Sequence, residues 1–359
     1  MFASLLSKDF PRSRSLSVLL VAIVLGLLFL PFMVQGVRPL NTAATICVYI
    51  LLVASYDLVL GYTGIVSFAH GMFYAIGAYG LAIALDSVGP QWSSMLLGVG
   101  LAVTVSVVLS LVIGTFALRV QAIFYTMITL AVASAFGVLV IKLSGFTGGE
   151  DGRSFSVPEV LSPGFRLVEN EVMGAVINGR LITYYLILLA VVVLFLLMLR
   201  VVNSPFGSVI QALRENQFRA EAIGYRVMLY RTASNCLAAA AATCAGALMA
   251  LWTHQVGPQT TVGFAIMMNV LLMSVIGGMG TLYGAVIGAT LFVLAENYLQ
   301  LGMKQVHALV SGVPVISNLF HPDRWMLWLG VFFVLSVYFF PTGIVGKLRE
   351  RRMRAEMKI

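Results

Sequence analysis

The sequence predicts an all-α polytopic membrane protein: one helical bundle of about ten transmembrane helices, with both termini in the cytoplasm. Three observations carry this reading. Hydrophobic residues make up 60% of the 359-residue chain and charged residues only 10%, where soluble domains average about 25% charged. Apolar runs of roughly 18 residues or more recur along its length, enough for a helix to cross the hydrocarbon core. Most of the 22 basic residues fall in alternate connecting segments, which fixes an orientation.

The spans fall at approximately 16–34, 40–60, 62–85, 92–117, 120–141, 181–202, 231–252, 264–280, 281–301 and 325–341. The first follows Lys8, Arg12 and Arg14, the basic start of a signal peptide. Its apolar run is too long for one and no small-x-small site follows, so it reads as a retained anchor. With the N-terminus inside, the cytoplasmic segments hold Arg119, then Arg200, Arg214, Arg219, Arg226 and Arg231, then the basic tail at 342–359. The opposite side keeps Arg38, Lys142, Arg153, Arg166, Arg180, Lys304 and Arg324. The net charge of +8 is thus explained by cytoplasmic loops rather than by nucleic acid. The whole chain, 1–359, reads as a single transmembrane domain. Two of its loops exceed what a hairpin needs: an external one at 142–180 and a cytoplasmic one at 203–230.

The stretch GYTGIVSFAHGMFYAIGAYG, 61–80, is the least lipid-like of the apolar runs. Placed on one helix, Gly61, Gly64, Ser67, Gly71, Ala75 and Ala78 share an arc of about 120° that lets another backbone come close. Thr63, Ser67, His70 and Tyr74 share an adjoining arc of about 60° that lipid cannot solvate. Such a stripe lines a watery path or bonds neighbouring helices; lipid would be met by Ile65, Met72, Ile76 and Tyr79. Asp57, just before it, belongs to the cytoplasmic interface or to a pair with a basic group such as Arg119. Gly280, Gly284 and Gly288, spaced by four, form a second close-packing face.

In the cytoplasmic loop, residues 203–223 predict a short helix outside the membrane. Ser204 caps it, Pro205 fits its first position and Gly224 suits the left-handed residue that ends it. Glu215 and Arg219 make a favourable i,i+4 pair. Val209, Ile210, Leu213, Ala220 and Ala222 give an apolar side, with Arg214, Asn216, Gln217, Arg219 and Glu221 polar. Such a helix rests on a membrane surface or inserts into a groove of a cytoplasmic partner. The chain has neither a phosphate-binding G-x-x-x-x-G-K-[ST] loop nor a G-x-S-x-G elbow. Its histidines (70, 254, 307, 321) and cysteines (47, 236, 244) have no metal spacing. The expectation is a protein that is not an enzyme, holds no cofactor and no metal, and takes any nucleotide energy from another chain.

The chain resembles a permease subunit of the branched-chain amino-acid ABC transporters, over roughly residues 40–345. The markers are GYTGIVSFAHGMFYAIGAYG at 61–80, TGGEDG at 147–152, SPFGSVIQALRENQFRAEAIGY at 204–225, IGGMGTLYGAVIGA at 276–289 and FFPTGIVG at 339–346. The resemblance implies a multi-pass protein of the bacterial inner membrane, in lipid, paired with a second, related permease. Two cytoplasmic ATP-binding subunits and a periplasmic binding protein would complete the assembly. It makes 204–225 a coupling helix, with Arg214, Glu215, Asn216, Glu221, Ala222 and Gly224 toward the ATPase. The extended EAA pattern of other importers, with its later Leu-Pro, does not follow Gly224. It places Thr147, Gly148, Gly149, Asp151 and Gly152 in the periplasmic loop, and Thr63, Ser67, His70 and Tyr74 along the path. Urea or short amides are alternative cargoes within the same family. An ion-coupled transporter working alone is an alternative outside it, for which paired, interrupted helices and midplane ionisable residues would be the mark.

Overall fold

The computed structural model describes residues 14–34, 36–117, 122–166, 177–309, 320–340 and 342–347. Lys8, Arg12, Arg119, the tail beyond 347 and residues 167–176 of the long 142–180 loop lie outside the described residues. Among those described, ten segments are helical, long and apolar enough to cross a membrane. Their helices are α1 (Arg14–Met33), α2 (Val37–Asp57), α3 (His70–Val88), α4 (Trp92–Ala117), α5 (Ala122–Lys142) and α6 (Gly179–Val202). After the short α7 (Pro205–Glu215) and α8 (Gln217–Ala222) come α9 (Val227–Thr253), α10 (Phe264–Gly277), α11 (Leu282–Leu309) and α12 (Trp325–Phe339). A single π turn, Leu58–Tyr62, extends α2. Two short strands, β1 (Arg153–Ser154) and β2 (Gln255–Val256), pair antiparallel, with Arg153 opposite Val256.

Helices α2, α3 and α9 form the centre, while α1, α4, α5, α6 and α12 expose Leu, Val, Phe and Met side chains around them. Small residues decide which helices are central. A Cβ at Gly77 would lie 1.8 Å from the Thr243 carbonyl oxygen, and one at Gly246 would lie 1.8 Å from that of Tyr74. Helices α3 and α9 therefore touch backbone to backbone, where van der Waals contact rather than the hydrophobic effect drives association in lipid. Hydroxyls and amides add to the centre. Thr243 and Ser106 bond at 2.6 Å, and Asn235 Nδ2 donates to Ser110 Oγ at 2.8 Å, tying α9 to α4.

The structure corrects four expectations. First, 61–80 is not one helix: residues 64–69, between the π turn and His70, are non-helical. The freed backbone groups are satisfied by neighbours, which is the condition for irregular chain at membrane depth. Ile65 N donates to Val59 O at 3.1 Å, Phe68 N to Thr129 Oγ1 at 3.1 Å, and Thr126 Oγ1 to Val66 O at 3.1 Å. Second, Ile65, Met72, Ile76 and Tyr79 are buried rather than lipid-facing: Ile65 lies in the non-helical stretch, and α3 packs against α4 and α9. Third, Gly280 is not part of the α11 face. It sits in the turn before that helix at φ +83°, while Gly284 and Gly288 do pack against α10. A Cβ at Gly288 would lie 2.0 Å from the Met273 carbonyl oxygen. Fourth, 203–223 is two helices, broken at Asn216.

Candidate functional site

The break between α2 and α3 gathers residues from four parts of the chain. Asp57, only 2% exposed, closes α2. Its two carboxylate oxygens accept the Gly280 N–H at 2.9 and 3.1 Å, and Ser274 Oγ donates to it at 3.4 Å. The turn between α10 and α11, rather than a wet interface, satisfies this aspartate, and the expected partner Arg119 lies outside the described residues. Gly61 permits that turn to come so close, since a Cβ there would lie 2.3 Å from Gly280 N and 2.1 Å from Asp57 Oδ1. Arg214, near the end of α7, donates from its guanidinium to the Gly61 carbonyl, and its charge acts on the Asp57 carboxylate. The short helices are thereby attached to the point where the core helix is interrupted.

Helix α7 starts at Ser204, whose hydroxyl accepts from Gly207 N at 3.5 Å, with Pro205 in its first turn as expected. Asn216 ends α7 and caps α8, its side-chain oxygen accepting from Arg219 N at 2.9 Å. Glu215 and Arg219 fall on opposite sides of this break, and no ion pair links them; Gln217 Nε2 bonds Glu221 Oε1 at 3.0 Å instead. Gly224 is left-handed at φ +94°, and Tyr225 N reaches back to Ala220 O at 3.1 Å, closing the turn. Ile210, Leu213 and Ala220 face inward and Phe206 stacks on Tyr230. Ala222 faces outward with Arg219 and Glu221, contrary to its expected place on the apolar side. The sequence reading also missed Phe218 (83% exposed) and Ile223 (69% exposed), two large apolar side chains on the outer face of this element.

Of the four expected path residues, all are buried, but they do not act as one stripe. Thr63 donates back to Val59 O inside the π turn. Ser67 lies buried in the non-helical stretch. His70, the first residue of α3, shares a hydrogen bond with Ser55 Oγ at 2.7 Å; Ser55 gives its own proton to Leu52 O, which leaves the imidazole Nε2 as donor. Tyr74, one turn further along α3, opens onto a cavity of about 380 Å³ at the other end of the core. Glu150, Asp151, Gln255, Gln259 and Thr260 also line that cavity. Two separately expected groups, a path tyrosine and a loop carboxylate, thus meet in one place.

The loop holding those carboxylates is built rather than draped. Thr147 Oγ1 donates to Val140 O at 2.6 Å and accepts from Gly149 N at 3.2 Å. Gly148, Gly149 and Gly152 all take positive φ, and a Cβ at Gly152 would lie 2.3 Å from Val256 O. Arg153 pairs with Asp86 at the end of α3 and donates to Phe146 O at 2.7 Å. The TGGEDG turn is thereby fixed against α3 and the end of α9, with Glu150 and Asp151 at the mouth of the cavity. Among the described residues, no group of three or more His, Cys, Asp or Glu could hold a metal ion.

The family described as "Branched-chain amino acid transport system / permease component" matches residues 38–319. The Escherichia coli high-affinity branched-chain amino acid transport system permease protein LivM is 26% identical over 317 residues, covering 85% of this chain and 73% of that protein. BraD, the corresponding permease protein of Pseudomonas aeruginosa, is 24% identical over 325 residues, covering 88% and 96%. LivH of Escherichia coli is 23% identical over 276 residues, covering 75% and 86%. No solved structure gives a significant match. With ten helices able to span a bilayer and a family match across more than three-quarters of its length, the chain belongs to the permease components of branched-chain amino acid transport systems.

Proposed function

We propose that this protein is one of two related permeases in a bacterial inner-membrane ABC importer. Both termini lie in the cytoplasm, and the partners are a LivH-type permease, two cytoplasmic ATPases and a periplasmic binding protein. Branched-chain amino acids delivered by the binding protein enter at the cavity between the 147–152 turn and Tyr74. Glu150 and Asp151 there suit the cargo ammonium, and among the described residues no basic one lines the cavity. The α7–α8 element docks on the ATPase through its outer face, with Phe218 and Ile223 in a groove and Arg219, Glu221 and Gly224 around them.

The observation that carries this reading is the Arg214 contact with the Gly61 carbonyl, beside the Asp57–Gly280 bond. It gives a displacement of α7 a direct grip on the interrupted α2–α3 joint. That joint has the discontinuous-helix character expected of a transporter gate, yet its grip comes from outside the bundle core, as a gate driven by a partner requires. Binding of ATP by the partners then biases the permease pair toward one orientation, and hydrolysis resets it. Reconstitution of the chain with its partner permease, ATPases and binding protein tests the assignment. Leucine accumulation dependent on ATP is expected. Gradient-driven accumulation by the isolated chain, or accumulation of urea but not leucine by the complex, would overturn it.

A further inference from the structure

A second cavity lies beside the end of α9, on its α6 side. It has a volume of about 220 Å³, room for roughly seven waters at ~30 Å³ each. Pro163, Arg180, Thr183, Trp252, Thr253 and His254 line it, and among the described residues no carboxylate does. Arg180 is held there deliberately: one guanidinium nitrogen donates to Asn41 Oδ1 at 2.7 Å, and the plane sits over the Trp252 ring at 5.2 Å from its centroid. Among the described residues no carboxylate pairs with it. His254 stands at the same wall with φ +56°, the one positive φ outside glycine among the described residues. A strained backbone at a ligand-sized cavity is a feature that recurs at binding sites. Burial and the nearby Arg180 charge both hold the His254 imidazole below its ordinary value. One cationic group, Arg180, beside a neutral imidazole that can still donate a hydrogen bond, faces this space with no counter-ion among the described residues, so an anion would complete the site. Arg in particular presents paired N–H groups that match a carboxylate.

We propose that the Arg180–His254 cavity is an oxyanion-binding site that receives the carboxylate of a free amino acid. Thr253 lines both this cavity and the acidic one that holds Glu150 and Asp151. Cationic and anionic pockets therefore flank a single residue at the end of α9, an arrangement suited to a zwitterion. The choice of an amino acid rests on the transport reading above; the anion site itself rests only on the cavity and its side chains.

Trp252 provides the readout. The full chain, purified with its accompanying subunits and placed in nanodiscs without ATP, carries Trp92, Trp325 and Trp328 replaced by Phe. Trp252 fluorescence is then titrated with sodium acetate, L-leucine and leucinamide, in phosphatidylcholine alone and with added phosphatidylglycerol. Saturable changes with acetate and leucine, weaker with leucinamide and independent of the lipid, are expected. Arg180→Gln should weaken both by about tenfold or more, the scale of losing a charge-assisted bidentate contact. Arg180→Lys and His254→Asn, which keep the charge or the left-handed backbone, should fold and weaken them less. Should Arg180→Gln not fold, those two variants carry the test. Absence of a saturable change with acetate, unchanged affinity in the variants, or a response only with phosphatidylglycerol would overturn the solute site. Acetate binding without leucine binding would overturn the amino-acid assignment. If acetate binds in an Arg180-dependent way but reconstituted uptake is absent, the transport reading fails and the anion site stands.

Discussion

The carboxylate of Asp57 accepts the backbone N–H of Gly280 with both oxygens, at 2.9 and 3.1 Å, across 223 positions of sequence. This bond pins the turn between α10 and α11 to the joint where the core helix is interrupted, and Arg214 of α7 closes on the same spot. A buried polar group in such a place is retained only while it is paired, because an unpaired one costs roughly 1–3 kcal/mol.

Asp57→Ala leaves the Gly280 N–H unsatisfied and should destabilise the chain by about 1–3 kcal/mol. Asp57→Asn keeps one acceptor oxygen and should cost less. Thermal melts in detergent, followed by a thiol-reactive dye, would order the variants as wild type, Asn, Ala. An Asp57→Ala melt equal to wild type would remove the pin from the account.

Gly61→Ala should prevent assembly of the joint, because its Cβ would lie 2.3 Å from Gly280 N. Gly71→Ala is the matched control, since the nearest atom there, Met267 Cβ, is 4.0 Å away. Size-exclusion profiles of the two variants should differ sharply, with Gly71→Ala close to wild type.

At the proposed docking element, α7–α8, Gly224→Trp should abolish uptake while membrane insertion remains. Trp there is bulky and strained at φ +94°, whereas Gly224→Asn tolerates the left-handed backbone and should retain activity. Phe218→Asp should lower co-purification with the ATPase by tenfold or so, the loss of an apolar anchor from an interface. Normal uptake with Gly224→Trp, or undiminished ATPase recovery with Phe218→Asp, would count against docking here.

Along the path, Asp151→Asn and Glu150→Gln should raise the KM for reconstituted uptake more than they lower kcat. They remove charge at the cavity mouth without touching the packed turn. His70→Leu breaks the Ser55 bond and should impair transport more than assembly. Equal losses of uptake and of assembled complex in His70→Leu would make the histidine a packing residue only.

The sequence by itself determined the class of the molecule and the identity of its small elements. Apolar run length fixed ten spans, since a helix must cross a layer of set thickness. Ser204, Pro205 and Gly224 fixed where the α7–α8 element begins and ends, because caps and left-handed turns depend on local chemistry alone. The order and spacing of TGGEDG and its companion markers made the family legible. What only the tertiary structure decided was which polar groups meet. A helical wheel assumes an unbroken helix, so it placed Ile65 and Met72 in lipid and Thr63 beside Tyr74. The break at 64–69 overrode it, because Thr126 and Thr129 of a distant helix satisfy the backbone that a lone segment could not free. Likewise Asp57 bonds Gly280, Tyr74 shares a cavity with Asp151, and Arg180 shares one with His254, each across a long stretch of chain. No local pattern encodes such pairs; they exist because glycine-mediated backbone contact between α3 and α9 sets which helices stand side by side.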